Sequence, residues 1–145
     1  MVTQTKPRPV VALEPHRFTV DQYHAMAKAG ILKKEDRVEL IDGVIVAMAP
    51  TGNRHLATVD RISKMFHLAV GVRAIVRTQG SVTLDTRTMP EPDLVLLKWR
   101  DDFYESRPAG PEDILLIIEV SDSSLEYDRG EKLALYARFG IPECG

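Results

Sequence analysis

The run "ILLIIEV" at residues 114–120 constrains the fold more than any other stretch, because six of its seven residues are apolar and no polar face is left. A half-buried strand alternates apolar and polar side chains, whereas a strand covered on both faces reads as a continuous apolar run. "DLVLL" at 93–97 has the same character. Such strands need helices on both sides of their sheet, which predicts an α/β/α sandwich around a mixed sheet. Each run also carries an acid at its edge: Asp93 opens the first and Glu119 stands near the end of the second. If the two strands are antiparallel neighbours, both acids fall on one edge of the sheet. A carboxylate at the mouth of a buried strand has to be desolvated, paired or bound to something.

The remaining elements follow from local signals. Thr19 with Gln22 three residues on is a capping box, and Gly30 supplies the stop, so a helix begins after Thr19. In "RVELIDGVIVAM" two β-rich runs flank Asp42-Gly43, a strong hairpin signal. Asn53 is placed to cap a second helix, in which Leu56, Val59, Ile62, Phe66 and Ala69 recur at helical spacing and Gly71 is the stop. "RAIVRT" and "GSVTLDT" read as short strands around a turn or bulge at Gln79-Gly80. "YDRGEKLALYARFG" reads as a last helix, with Asp128 and Glu131 at capping-box spacing, an apolar stripe of Leu133, Tyr136 and Ala137, and Gly140 and Pro142 as stop signals. Residues 1–16, with three prolines before His16 and no periodicity, read as an extended or disordered tail before a single domain over 17–145.

Charge is unevenly spread. Residues 51–90 carry six Lys/Arg against two acids, while residues 101–145 carry eleven acids against four bases, within a formal net charge of −2. A single cysteine, Cys144, excludes an internal disulfide and a thiolate metal cluster. No apolar run reaches the roughly 20 residues of a membrane span, and "VVAL" is too short for a signal-peptide core. The expectation is a cytoplasmic protein with no membrane partner.

Two carboxylates brought together repel, and one is protonated unless a cation lies between them. All-oxygen donors of this kind suit Mg²⁺, which takes one or two carboxylates together with waters and phosphate oxygens. Equally open from the residues alone, each acid caps a loop or pairs with an arginine. Lys132, in the first turn or so of the last helix, is either a cation serving this pair or an i, i+4 partner of Asp128.

Asp93 in "PEPDLVLL", Glu119 in "IIEVSDSS" and Lys132 in "YDRGEKLALYARFGIPE" resemble the PD-(D/E)xK nuclease superfamily. More closely, the chain resembles the Uma-two family of restriction-endonuclease-like proteins, over residues 17–143 and including "RVELIDGVIVAMAPTGNRHLATVDRI". The resemblance implies a restriction-endonuclease-like α/β/α fold, a Mg²⁺ or Mn²⁺ cofactor and cleavage of DNA phosphodiesters. It implies that Asp93 and Glu119 hold the metal with the Val120 carbonyl, while Lys132 positions the attacking water and stabilises the transition state. Superfamily members commonly have lysine two residues after the acid; here that residue is Ser121, so Lys132 is a migrated lysine. Relatives continue past "GIPE" into an aromatic-rich strand, whereas this sequence stops at Cys144-Gly145. The fold is therefore expected to lack its C-terminal strand, leaving a marginally stable, C-terminally truncated domain whose open sheet edge could form homo-oligomers.

Three further residues are candidates for the site. Glu39 is either a third carboxylate near the metal or a strand residue that faces solvent or pairs with a nearby base. His55 either meets phosphate at a helix N-terminus or is an ordinary first-turn polar residue. Gln79 is a candidate cleft residue. Ser121, Ser123 and Ser124 read as loop caps, since no nucleophile elbow accompanies them, and the four histidines lack zinc-ligand spacing. The rivals to a DNA endonuclease are a non-catalytic nucleic-acid-binding or regulatory relative and an inactive truncated pseudo-domain.

Overall fold

The computed structural model describes residues 12–121 and 126–144. Helix α1 (Val20–Lys28) starts where the capping box predicts: the Gln22 amide donates to Thr19 Oγ1 at 3.2 Å, and the Thr19 amide donates to Gln22 Oε1 at 2.9 Å. The hairpin β1 (Val38–Ile41) and β2 (Val44–Ala47) turns at Asp42 and Gly43. Both turn residues have positive φ, 49° and 78°, as a two-residue turn of this hand requires. At Gly43 a Cβ would lie 2.5 Å from the Arg17 Cβ, so glycine is needed for space as well as for conformation.

Helix α2 (Asn53–Val70) is capped by Gly52 rather than Asn53, with no side-chain bond to its first turn. Its apolar stripe is narrower than the periodicity suggests. Val59 is buried and Ile62 and Phe66 pack on the sheet, but Leu56 and Ala69 are exposed.

The main sheet contains β3 (Ala74–Thr78), β4 (Leu94–Lys98), β5 (Ile114–Ile118) and, after helix α3 (Glu126–Arg138), β6 (Glu143–Cys144), in the order β3-β4-β5-β6. β4 is antiparallel to both β3 and β5. Alternation along β4 assigns the layers. Leu94 and Leu96, with Ile118, face α2 through Ile62 and Phe66. Val95 and Leu97, with Ile75 and Ile117, face Leu135 and Tyr136 of α3. Helices thus cover both faces, giving a three-layer α/β/α arrangement around a mixed sheet. Among the described residues, no helix is long and apolar enough to cross a membrane.

Three expectations need correction. "GSVTLDT" forms no regular strand; it folds back on itself through a single bridge, Asp85 to Thr88. The return arm carries Pro90 and Pro92, which have no N–H to give, so the buried Val82 and Leu84 make one-way bonds to it: the Val82 amide donates to the Pro90 carbonyl at 3.1 Å and the Leu84 amide to the Thr88 carbonyl at 2.9 Å. β5 is not covered throughout: Leu115 is the extra residue of a β-bulge and turns out to solvent. α3 begins at Glu126, which puts Asp128 inside the helix, not at its cap, and Lys132 in its second turn; Leu135 and Tyr136 are buried there while Ala137 is exposed. The edge of β5 next to α3 is paired only at its last two residues, where β6 runs parallel, Ile117 with Glu143 and Ile118 with Cys144. β5, α3 and β6 thus form a short β-α-β crossover.

Candidate functional site

The register of β4 and β5 brings the two edge acids together. Leu94 pairs with Ile118, so the next residues outward, Asp93 and Glu119, face one another. The Asp93 amide points at Glu119 Oε2 at 3.4 Å, and the Val120 amide donates to Asp93 Oδ2 at 2.8 Å. His55 Nε2 lies 2.9 Å from Asp93 Oδ1. A carboxylate only accepts, so Nε2 carries the proton of that bond.

α3 contributes two side chains one helical turn apart. Lys132 Nζ is 3.1 Å from Glu119 Oε1 and 3.2 Å from Glu39 Oε2, and the Tyr136 hydroxyl donates to Glu119 Oε1 at 2.6 Å. Glu39 arrives on β1, which is docked by the reciprocal Leu40–Met89 bonds. The Glu91 amide donates to Glu39 Oε2 at 3.0 Å. Strand register, a docked hairpin and a helix crossover thus converge on one pocket of about 180 Å³, whose lining includes Glu39, Glu91, Asp93, Glu119 and Lys132.

Burial and like charge set the electrostatics. Burial pushes the Glu119 carboxyl above its ordinary range and Asp93 adds to the push, against the pull of Lys132 and Tyr136. Glu91 is raised by burial and by Glu39. Burial alone would lower the Lys132 pKa, but Glu119 and Glu39 outweigh it, so the ammonium is held above its ordinary value. The Tyr136 hydroxyl is raised by burial and by Glu119, and it stays a donor.

The donor chemistry fits a hard divalent cation. Among the described residues no three His, Cys, Asp or Glu side chains form a ready-made ligand group. Mg²⁺ does not need one: one or two carboxylates, waters and substrate phosphate complete its shell. Asp93 and Glu119 are such a pair, and the Val120 backbone lies beside them.

Of the other sequence candidates, Glu39 faces the pocket and not solvent, buried at 5% exposure, and it pairs with a base, Lys132. His55 is a first-turn residue of α2, and it is buried as a partner of Asp93. Gln79 is exposed; its amide donates to the Asp93 carbonyl at 3.0 Å and its side chain lines an adjoining groove, not the acidic pocket. Ser121 lines the pocket mouth, while Ser123, Ser124 and the Asp128 side chain lie outside the described residues. Sequence reasoning missed Tyr136, Glu91 and Arg37. Tyr136 had a signal, since it stands four residues after Lys132 on the same helix face.

Comparison with known proteins gives a consistent placement. The model of the Uma2 family, described as "Putative restriction endonuclease", matches residues 20–145. No curated protein matches the chain. A crystal structure of "a putative nuclease belonging to DUF820 from Anabaena variabilis ATCC 29413" superposes with a TM-score of 0.59 at 17% identity, over 82% of this chain. The chain spans 66% of that protein's length.

Proposed function

The chain belongs to the Uma2 family, and on that premise we propose that its acidic pocket is the centre of a Mg²⁺- or Mn²⁺-dependent endonuclease acting on DNA. The observation that carries this reading is the convergence of Asp93, Glu119 and Lys132, with Lys132 Nζ 3.1 Å from Glu119. A pair of carboxylates with one ammonium over it is what phosphodiester hydrolysis can use.

Asp93 and Glu119, with the Val120 carbonyl, would hold the ion. A bound divalent ion supplies Lewis-acid stabilisation of phosphoryl oxygens and lowers the pKa of water. In the reaction a water oxygen bonds to phosphorus while the bond to the leaving sugar oxygen breaks. The water loses a proton, and the leaving oxygen gains one.

The raised pKa of Lys132 keeps it an ammonium. It therefore acts as a donor and a positive charge, orienting the attacking water and offsetting charge on the phosphoryl group, not as a base. Tyr136 and Lys132 both donate to Glu119 Oε1, which fixes the carboxylate plane. His55 and the Val120 amide hold Asp93 in the same way, one on each carboxylate oxygen. Glu39 shares Lys132 and sets its direction.

The test is cleavage of supercoiled plasmid by the purified chain with Mg²⁺ or Mn²⁺. Nicking that is abolished by EDTA and by Asp93→Ala or Glu119→Ala supports the reading. Activity that survives both the chelator and the substitutions overturns it.

A further inference from the structure

The run Lys33-Lys34-Glu35-Asp36-Arg37 is nearly balanced in sequence, with three bases against two acids. Folding sorts these charges. One helical turn at Lys34–Asp36 brings the Asp36 carboxylate back to accept the Lys33 amide at 2.7 Å. Lys33, Lys34 and Arg37 then line a groove of about 570 Å³, together with Gln79 and Glu91, and neither Glu35 nor Asp36 is part of that lining.

Arg37 stands at the junction, lining both this groove and the acidic pocket. Its backbone is left-handed, with φ 45°. A residue other than glycine keeps such a conformation only where its surroundings hold it. Here the Met48 amide donates to the Arg37 carbonyl at 2.9 Å, and Arg37 Nη1 donates to Thr51 Oγ1 at 3.1 Å. The exposed guanidinium is anchored at one corner, and among the described residues its other N–H groups make no further hydrogen bond, leaving a planar fork suited to phosphate oxygens.

An acidic pocket creates a difficulty for any phosphodiester substrate. Glu39, Glu91, Asp93 and Glu119 repel the anion that is to be cut, and Lys132 is already engaged by two of them. Cations immediately beside the pocket would offset that repulsion. We infer that the Lys33–Lys34–Arg37 groove binds the phosphate backbone of the DNA strand flanking the scissile bond, with Arg37 as the phosphate contact nearest the pocket. The inference rests on the nuclease reading of the adjoining site and adds the path of the substrate to it.

The test is anisotropy of a fluorescein-labelled DNA duplex titrated with the protein in EDTA, across a series of salt concentrations. Each phosphate contact contributes about 0.9 to the slope of log K against log salt. The Lys33→Ala/Lys34→Ala/Arg37→Ala variant is expected to bind more weakly, with a slope shallower by about 2 to 3. Arg37→Lys in the otherwise native chain should retain most of the slope. The control variant Arg61→Ala/Lys64→Ala removes two charges from the exposed side of α2 and should leave the slope near the native value. An unchanged slope in the triple variant, an equal loss in the control, or no salt-dependent binding by the native chain would overturn the inference. Plasmid cleavage separates the two readings. Loss of slope without Mg²⁺-dependent cleavage keeps the groove and sinks the nuclease assignment, and cleavage with an unchanged slope does the reverse.

Discussion

Acids stand at both ends of the β4–β5 pair, and their surroundings differ. At the end where β5 begins, Asp113 accepts two bonds from Arg107, at 2.6 and 3.0 Å, and one from the Gly110 amide at 2.9 Å. Asp102, beyond the end of β4, is gripped on both oxygens by Arg100 at 2.8 and 2.9 Å. The arginine hydrogen bonds hold both carboxyls below their usual range. At the other end, Glu39 and Glu119 share the one ammonium of Lys132, and burial holds Glu119 and Glu91 above theirs. An acid at a strand end is therefore not functional by position. What marks the second end is a surplus of buried carboxylate that a further cation would neutralise.

The largest expected effect separates the two ends by activity. Asp93→Ala and Glu119→Ala should each lower Mg²⁺-dependent cleavage by orders of magnitude, equivalent to several kcal/mol of transition-state stabilisation. Asp113→Asn should leave cleavage near the native rate at temperatures where the variant is folded. Equal losses from all three, measured as initial nicking rates, would erase the distinction.

Tyr136→Phe sharpens the comparison without touching a ligand. The ring is fully buried, so phenylalanine keeps the packing, but the 2.6 Å bond to Glu119 is lost. A hydrogen bond to a charged group is worth about 1.5–3 kcal/mol, so kcat should fall roughly tenfold or more with little change in KM. A native kcat would mean that Glu119 is held adequately by Lys132 alone.

The smallest effects concern stability, and they should have opposite signs. Asp113 has a folded-state pKa below its ordinary 3.8. Its contribution is present above that value and is lost as pH falls through the folded one. Glu91 has a folded-state pKa above its ordinary 4.5. Its contribution is present below 4.5 and is lost as pH rises through the folded value. At neutral pH, Asp113→Asn should lower Tm by a few degrees, whereas Glu91→Gln should raise it by about a degree, because its half-exposed carboxyl is screened. Both differences should shrink near pH 3. Melting curves at the two pH values check the signs.

Part of this contrast is legible in the chain. The apolar runs require a sheet covered on both faces, and once β4 and β5 are antiparallel their register puts Asp93 opposite Glu119. Lys132 could be named through its family resemblance, but the residues alone did not separate a site role from an i, i+4 pair. Tertiary docking hid the rest. Glu39 meets Lys132 only because the hairpin bonds to Met89. His55 reads as an ordinary first-turn polar residue, and only the folded chain buries it against Asp93. Val82 and Leu84 alternate as strand residues do and donate to the Pro90 and Thr88 carbonyls, yet the prolines on the return arm give no N–H back, so no regular ladder forms. Asp113 follows the same edge-acid pattern as Asp93, and only the position of Arg107 sets the two apart.

Binding of Mn²⁺, followed by its electron paramagnetic resonance signal, tests the central claim most directly because it needs neither substrate nor turnover. The native chain and Asp113→Asn are expected to take up the ion saturably and with similar affinity. Asp93→Asn and Glu119→Gln should lose that binding while keeping the native melting transition. Uptake that is unchanged in both pocket variants, or absent from the native chain with and without DNA, would contradict the assignment of the carboxylate surplus at this end of the sheet to a metal.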